Sequence, residues 1–214
     1  MKNLSKLVFF FMLLSLSAFA QNELRGSMGV NFVSCGSARD YINQNFASHD
    51  EQVAAFHAAI DFSAEYGRLI SDNFQLGIEY AYSINSFSIN NTYGQYEFSY
   101  YVQSPTLTGY YVMEGEGYKL KFGGGAGPRF ISVDEKIPPV SNTNNYTSTG
   151  FGILARADGA TSLGGDFYAY IGGELRCDFN GEPKSGNNYV VNYNKKVNLN
   201  SFSAGLKLGI TYLF

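Results

Sequence analysis

The 214-residue sequence has no tryptophan, two cysteines, two histidines and five prolines, and charged residues make up 15 % of it. Each scarcity excludes something. Two histidines, at 49 and 57, do not form the convergent set of two to four ligands that a metal wants, and no motif calls for a cofactor. Beyond residue 20 no run approaches 18 apolar residues, so the chain has no membrane-spanning helix. There is no basic excess: 15 Lys and Arg stand against 18 Asp and Glu, which argues against nucleic acid as a partner. The glycine-rich "KFGGGAGPRF" (121–130) lacks a following Lys-Ser or Lys-Thr and opens no helix pattern, so it is not a phosphate loop. Its glycines let a strand bend and make room for long facing side chains.

The start of the chain reads "MKNLSKLVFFFMLLSLSAFAQ". Lys2 and Lys6, an apolar run from Leu7 to Leu14 and then Ala18-Phe19-Ala20 predict a secretory signal peptide over 1–20, cleaved before Gln21. No Cys directly follows that site, the next being Cys35, so a lipidated N-terminus is not expected. Removal of Lys2 and Lys6 leaves 13 basic and 18 acidic side chains in a single domain, 21–214.

What is abundant is 18 Phe, 17 Tyr and 24 Gly, a composition that favours strands over long helices. The apolar residues alternate. Phe202, Ala204, Leu206, Leu208, Ile210, Tyr212 and Phe214 share one face of a final strand; Ser203, Gly205, Lys207, Gly209 and Thr211 share the other. The same period-two pattern predicts eight strands, at 24–33, 56–69, 74–89, 95–113, 118–133, 149–163, 167–179 and 199–214. Pro105 predicts a bulge or strand margin in the fourth. Connections after strands two, four and six are tight hairpin turns, whereas the others are mostly longer and polar. That split describes an up-and-down meander with two different ends.

Eight alternating strands fit two barrels. One is soluble, with an apolar ligand cavity, and the other faces lipid with its apolar side and keeps a polar interior. Export, a Gly- and charge-rich polar face, and aromatics such as Tyr66, Phe74, Tyr118 and Tyr212 near strand ends favour the second. The expectation is an all-β, eight-stranded antiparallel up-and-down transmembrane β-barrel. The ending "LKLGITYLF" resembles the C-terminal strand of outer-membrane β-barrel proteins, and the whole of 21–214 resembles the small eight-stranded OmpA/OmpX type. The resemblance implies an outer-membrane location of Gram-negative type, both termini periplasmic, lipid around the barrel, and recognition of Ile210, Tyr212 and Phe214 by the barrel assembly machinery.

An eight-stranded barrel leaves an interior just wide enough for side chains to fill, and porin-like passage needs about 16 strands. The predicted lumen acids are Asp61, Glu65, Glu79, Glu97, Asp158 and Glu174; the bases are Lys119, Lys121, Arg129, Arg156, Arg176 and Lys207. Buried charges must pair, so these predict an ion-pair network plugging the barrel. A narrow gated ion path is the alternative. His49-Asp50-Glu51 and His57 read as a solvated loop. The chain lacks the His-x-Ser pair of the lipid A deacylases, and omptin-type proteases have ten strands. Cys35 and Cys177 permit one disulfide in an exported chain, provided the intervening final strand leaves them close enough. The leading expectation is therefore non-enzymatic: a structural or surface-interaction role through polar loops, with an unknown extracellular partner.

Overall fold

Period-two alternation becomes a closed sheet. The computed structural model describes residues 21–48, 51–91, 94–139 and 142–214; the signal peptide expected over 1–20, His49 and Asp50 lie outside them. Eight long strands form the wall: β1 (Asn22–Ser34), β2 (His57–Ser71), β3 (Phe74–Asn91), β4 (Gly94–Gly115), β5 (Tyr118–Lys136), β6 (Thr143–Gly164), β7 (Phe167–Asn180) and, after four two-residue strands, β12 (Ser201–Leu213). The short ones are β8 (Lys184–Ser185), β9 (Asn188–Tyr189), β10 (Val191–Asn192) and β11 (Lys195–Lys196). The wall strands pair in the order β5-β4-β3-β2-β1-β12-β7-β6, and β5 pairs with β6 to close the ring. Every neighbouring pair is antiparallel. This is the expected up-and-down barrel, with two-residue turns at 72–73, 116–117 and 165–166. Gly117 (φ +77°) and Gly165 (φ +57°) occupy backbone conformations that favour glycine.

The outer face carries an apolar belt. Leu24, Met28, Val30 and Phe32 of β1 and Leu206, Leu208, Ile210 and Tyr212 of β12 all project outward, and the other wall strands follow suit. Phe214 belongs to the belt as well. Its backbone exchanges hydrogen bonds with Asn22 at 2.9 and 3.0 Å, and its ring stacks on Tyr212. Inside, the alternate residues are polar and charged. Exterior apolar and interior polar is the transmembrane arrangement.

Four strands outgrow the other four. β2 pairs with β3 only as far as Ile60–Ile84, and β7 with β6 only as far as Asn180–Gly150. Beyond those pairs β3–β6 continue as a four-stranded sheet to Asn91–Gly94 and Lys136–Thr143. In this extension the polarity reverses. Ser86, Ser88, Glu97, Ser132 and Thr147 face outward, while Phe87, Ile89, Tyr96, Phe98, Val102, Ile131 and Val133 face inward and are buried.

The connection after β1, expected to be a solvated loop, covers that inner face with a helix, α1 (Gly36–Asn45). Ala38, Tyr41 and Ile42 fall three and four apart on one side of α1 and are its buried residues. A ten-residue helix is marginal alone, so packing holds it. Phe46 stacks on Tyr96 with centroids 3.7 Å apart, and Val190, Val197 and Leu199 complete the cluster from the segment before β12.

Pro105 makes neither bulge nor margin. It lies within β4, and the β4–β5 register is the same on both sides of it, Gln103–Phe130 and Leu107–Ala126. The ladder is interrupted between these pairs, where Pro105 and Pro128 come opposite each other and neither has an N–H to offer.

Leu208 sits at mid-belt, beside Met28 and Ile171. Leu208→Arg is expected to lower folding stability in vesicles by about 2–4 kcal/mol, whereas Ser88→Arg, on the polar face of the extension, leaves it unchanged. Urea titration of both variants in phospholipid vesicles, read by unboiled gel migration, measures the difference.

Candidate functional site

Two features occupy the barrel axis, a charged plug and an apolar cap. Among the described residues the plug contains seven buried acids, Glu23, Asp61, Glu65, Glu79, Asp158, Glu174 and Asp178, and seven buried bases, Arg25, Lys119, Lys121, Arg129, Arg156, Arg176 and Lys207. Arg156 from β6 is the hub. It donates to Glu65 at 3.0 Å and Glu79 at 2.5 Å, and its Nε reaches Glu174 at 2.9 Å. Lys207 lies 2.9 Å from Asp61 and 3.4 Å from Glu174, and Arg176 lies 2.7 Å from Glu174. Tyr110 donates to Glu65 at 3.0 Å, and Ser83 donates to Asp61 at 2.6 Å.

Toward the short-turn end, Arg25 pairs with Asp158 at 2.5 Å and Glu23 at 3.2 Å and lies over the Tyr170 ring; Lys121 also pairs with Glu23. Lys119 reaches Glu114 at 2.7 Å. Toward the extension, Arg129 pairs with Asp178 at 2.6 Å. Its Nη1 also donates to the carbonyls of Gly127 and Pro128, both at 3.1 Å, beside the gap in the ladder. Glycines make the room: a side chain at 152 would overlap Arg129 and Asp178, and one at 172 would overlap Asp158. The plug leaves a void of about 20 Å³ beside Arg176 and Asp178, space for roughly one water, and none at the mouth lined by Glu23, Gln75, Lys119 and Lys121.

The structure thus gathers eleven of the twelve predicted lumen residues. The exception is Glu97, which stands on the outer face, paired with Lys136 at 2.8 Å. Its neighbours Tyr96 and Phe98 take the inward positions, because in the extension the interior is apolar. Glu23, Arg25 and Asp178 join the network without having been singled out from the sequence. Arg25 alternates with Leu24, and Asp178 continues the Glu174, Arg176 series, so the same periodicity points to them.

In the cap, Glu135 is buried with no cation paired to it among the described residues. The Tyr41 and Tyr96 hydroxyls donate to one of its oxygens at 2.7 and 2.8 Å, tying α1 to β5 and β4. Burial, and then the Glu135 carboxylate, push the Tyr41 phenol well above its ordinary range. His57 bonds Asn85 at 3.0 Å and packs on Phe87; His49 and Asp50 are outside the described residues. Cys35 and Cys177 are both free. Cys35 is buried beneath the cap, whereas Cys177 lies on the outer face of β7 in register with Phe202 and Ile153. The barrel wall separates them, so the disulfide that the sequence permitted does not form. Ile210, Tyr212 and Phe214 all lie exposed on the outer face.

No family model matches the chain, and no curated protein matches it. Solved structures do resemble it. Neisserial surface protein A superposes with a TM-score of 0.55 at 11 % identity, over 90 % of this chain and 97 % of that one. Ail, the attachment invasion locus protein of Yersinia pestis, in complex with the heparin analogue sucrose octasulfate, superposes with a TM-score of 0.52 at 11 % identity, over 91 % and 99 %. At such identity the likeness is one of fold, and the fold is that of the small eight-stranded outer-membrane barrels.

Arg156→Met leaves three buried carboxylates short of a partner and is expected to cost about 3–5 kcal/mol of stability. Lys136→Met, at the exposed pair with Glu97, is expected to leave the urea midpoint unchanged. Burial pushes the Cys35 thiol up to about 11, so at pH 8 its thiolate is roughly a hundredfold scarcer than for an ordinary cysteine. Maleimide at pH 8 is therefore expected to spare Cys35 in the folded protein and to label it once Ile42→Asp unseats α1; mass spectrometry of peptides reads both.

Proposed function

We propose that this chain is a non-enzymatic outer-membrane protein that acts through the module built on its long-loop end. The observation that carries this reading is the reversal of polarity along β3–β6. Below the reversal the strands suit a lipid exterior and a polar, packed interior; above it they suit water outside and an apolar core inside. An interior filled by paired charges and then by the cap favours surface recognition over transport. The extension, α1 and the 181–200 segment form a folded platform with polar side chains outward, the part of such a scaffold on which function sits. The similar barrel of Yersinia pestis was captured with a heparin analogue, which supports ligand recognition as a use of this fold.

In this reading lipid surrounds the belt, the short turns and both termini are periplasmic, and the assembly machinery reads Ile210, Tyr212 and Phe214. The partner binds the module from outside. A narrow ion path is the second reading, favoured by the charged lining that runs from Lys119 to Arg129.

An epitope inserted at Asn194 is expected to be labelled by antibody on intact cells, and one inserted at Glu116 only after permeabilisation. The reverse labelling would overturn the orientation. The purified barrel is expected to give no unitary conductance in planar bilayers; a steady conductance altered by Arg156→Met would favour the ion path.

A further inference from the structure

A cleft of about 620 Å³ opens on the outer module between the outer end of β6, the end of β7 and the 181–200 segment. Small-ligand sites occupy roughly 300–1,000 Å³. We infer that this cleft binds a neutral oligosaccharide, an inference that rests on the surface role proposed above and gives it a ligand class.

The hydrogen-bonding groups around the cleft are committed in a definite pattern. Asn180 Nδ2 donates to the Leu199 carbonyl at 2.8 Å, which leaves Asn180 Oδ1 as a buried acceptor without a partner. Ser148 Oγ is a second buried polar atom without one. Both side chains line the cleft, and the two residues are only 5 % and 8 % exposed. Beside Asn180 the neighbouring amides present the opposite chemistry. Asn200 Oδ1 accepts the Asn180 backbone N–H at 2.8 Å, and Asn198 Oδ1 accepts the Asn200 N–H at 3.2 Å. Those two side chains therefore keep their NH₂ ends for a ligand. Gly150 leaves space at Asn180, since a Cβ there would lie 2.5 Å from Oδ1.

Acceptors and donors thus sit side by side in the lining. A sulfate or phosphate presents acceptors only and an ammonium donors only, whereas a sugar hydroxyl does both. Charge agrees with this choice. The lining holds one acid, Glu182, and one base, Lys184, with Lys196 alongside, so it lacks the cluster of bases that a polyanion wants. Glu182 is moreover held by Lys196 at 3.1 Å. Tyr189 adds an aromatic ring to the wall; the Lys196 ammonium lies over one face at 3.7 Å from the centroid, and the opposite face is the apolar surface offered to the C–H face of a pyranose. The floor rests on β6 and β7, joined here by the Gly181 N–H donating to the Thr149 carbonyl at 3.0 Å, so the site is preformed.

The test is calorimetric titration of the full barrel, refolded in detergent, with maltohexaose, chitohexaose and sucrose octasulfate. Binding of at least one neutral oligosaccharide is expected, with affinity falling about tenfold or more in Asn198→Ala/Asn200→Ala and in Tyr189→Ala. Both variants should keep the heat-modifiable gel migration of the folded barrel. The inference is overturned if neither neutral sugar binds at millimolar concentration, if binding survives both variants, or if sucrose octasulfate binds in their place. The intact-cell labelling described above separates the two levels. A module labelled from outside whose cleft binds no sugar overturns the cleft assignment alone, and a module closed to labelling removes the surface role with it.

Discussion

The structure depends on one constraint: in hydrocarbon every backbone N–H and C=O must find its partner within the protein. Strands can meet that demand only by closing on themselves, and this chain closes by pairing β1 with β12 and β5 with β6. Eight strands make a narrow ring, and the two-residue period sends every second side chain into it. Because the outward residues must be apolar, the inward ones carry the polar and charged chemistry. The matched set of seven acids and seven bases is therefore less a choice of interior than a consequence of the exterior. Arg156, bonded to Glu65, Glu79 and Glu174 at once, shows how little slack that interior has.

The same strands obey a different solvent above the belt. Between Leu107 and Phe98 of β4 the period is still two, and the register with β5 is the same on both sides of the opposed prolines. What changes is which parity is apolar. Water outside allows Glu97 and Ser99 to face out, and the apolar parity then needs cover from within, which α1 and the 181–200 segment supply. Among the described residues Glu135 is the one acid that stays inside there, and its partners are tyrosine hydroxyls, in keeping with an interior that has become a hydrophobic core.

Much of this was legible beforehand, because alternation, tight turns and the apolar final strand each depend on neighbours close in sequence. The wall strands, their two faces and most of the plug follow from them. Glu97 was misplaced for a physical reason: charges were assigned to the lumen along the full length of each strand, and the reversal of polarity inverts that rule. The α1 helix was hidden in a stretch read as loop, although Ala38, Tyr41 and Ile42 carry helical spacing. Ten residues with three apolar anchors form a helix only where an apolar sheet face awaits them, and that face is assembled from strands distant in sequence. The separation of Cys35 from Cys177 is likewise a fact about sides of a wall, which spacing along the chain does not reveal.

The inequality of the strands bears on how such a wall is put together. The tall strands, of up to 22 residues, are consecutive in the chain and joined as hairpins, so each has its polar upper end paired to a neighbour in sequence. The seam between β1 and β12 joins the first and final wall strands, the shortest at 13 residues each. Closure of the ring therefore asks the two ends of the chain to pair only over the height of the belt, while the segments that follow β1 and precede β12 roof the taller strands.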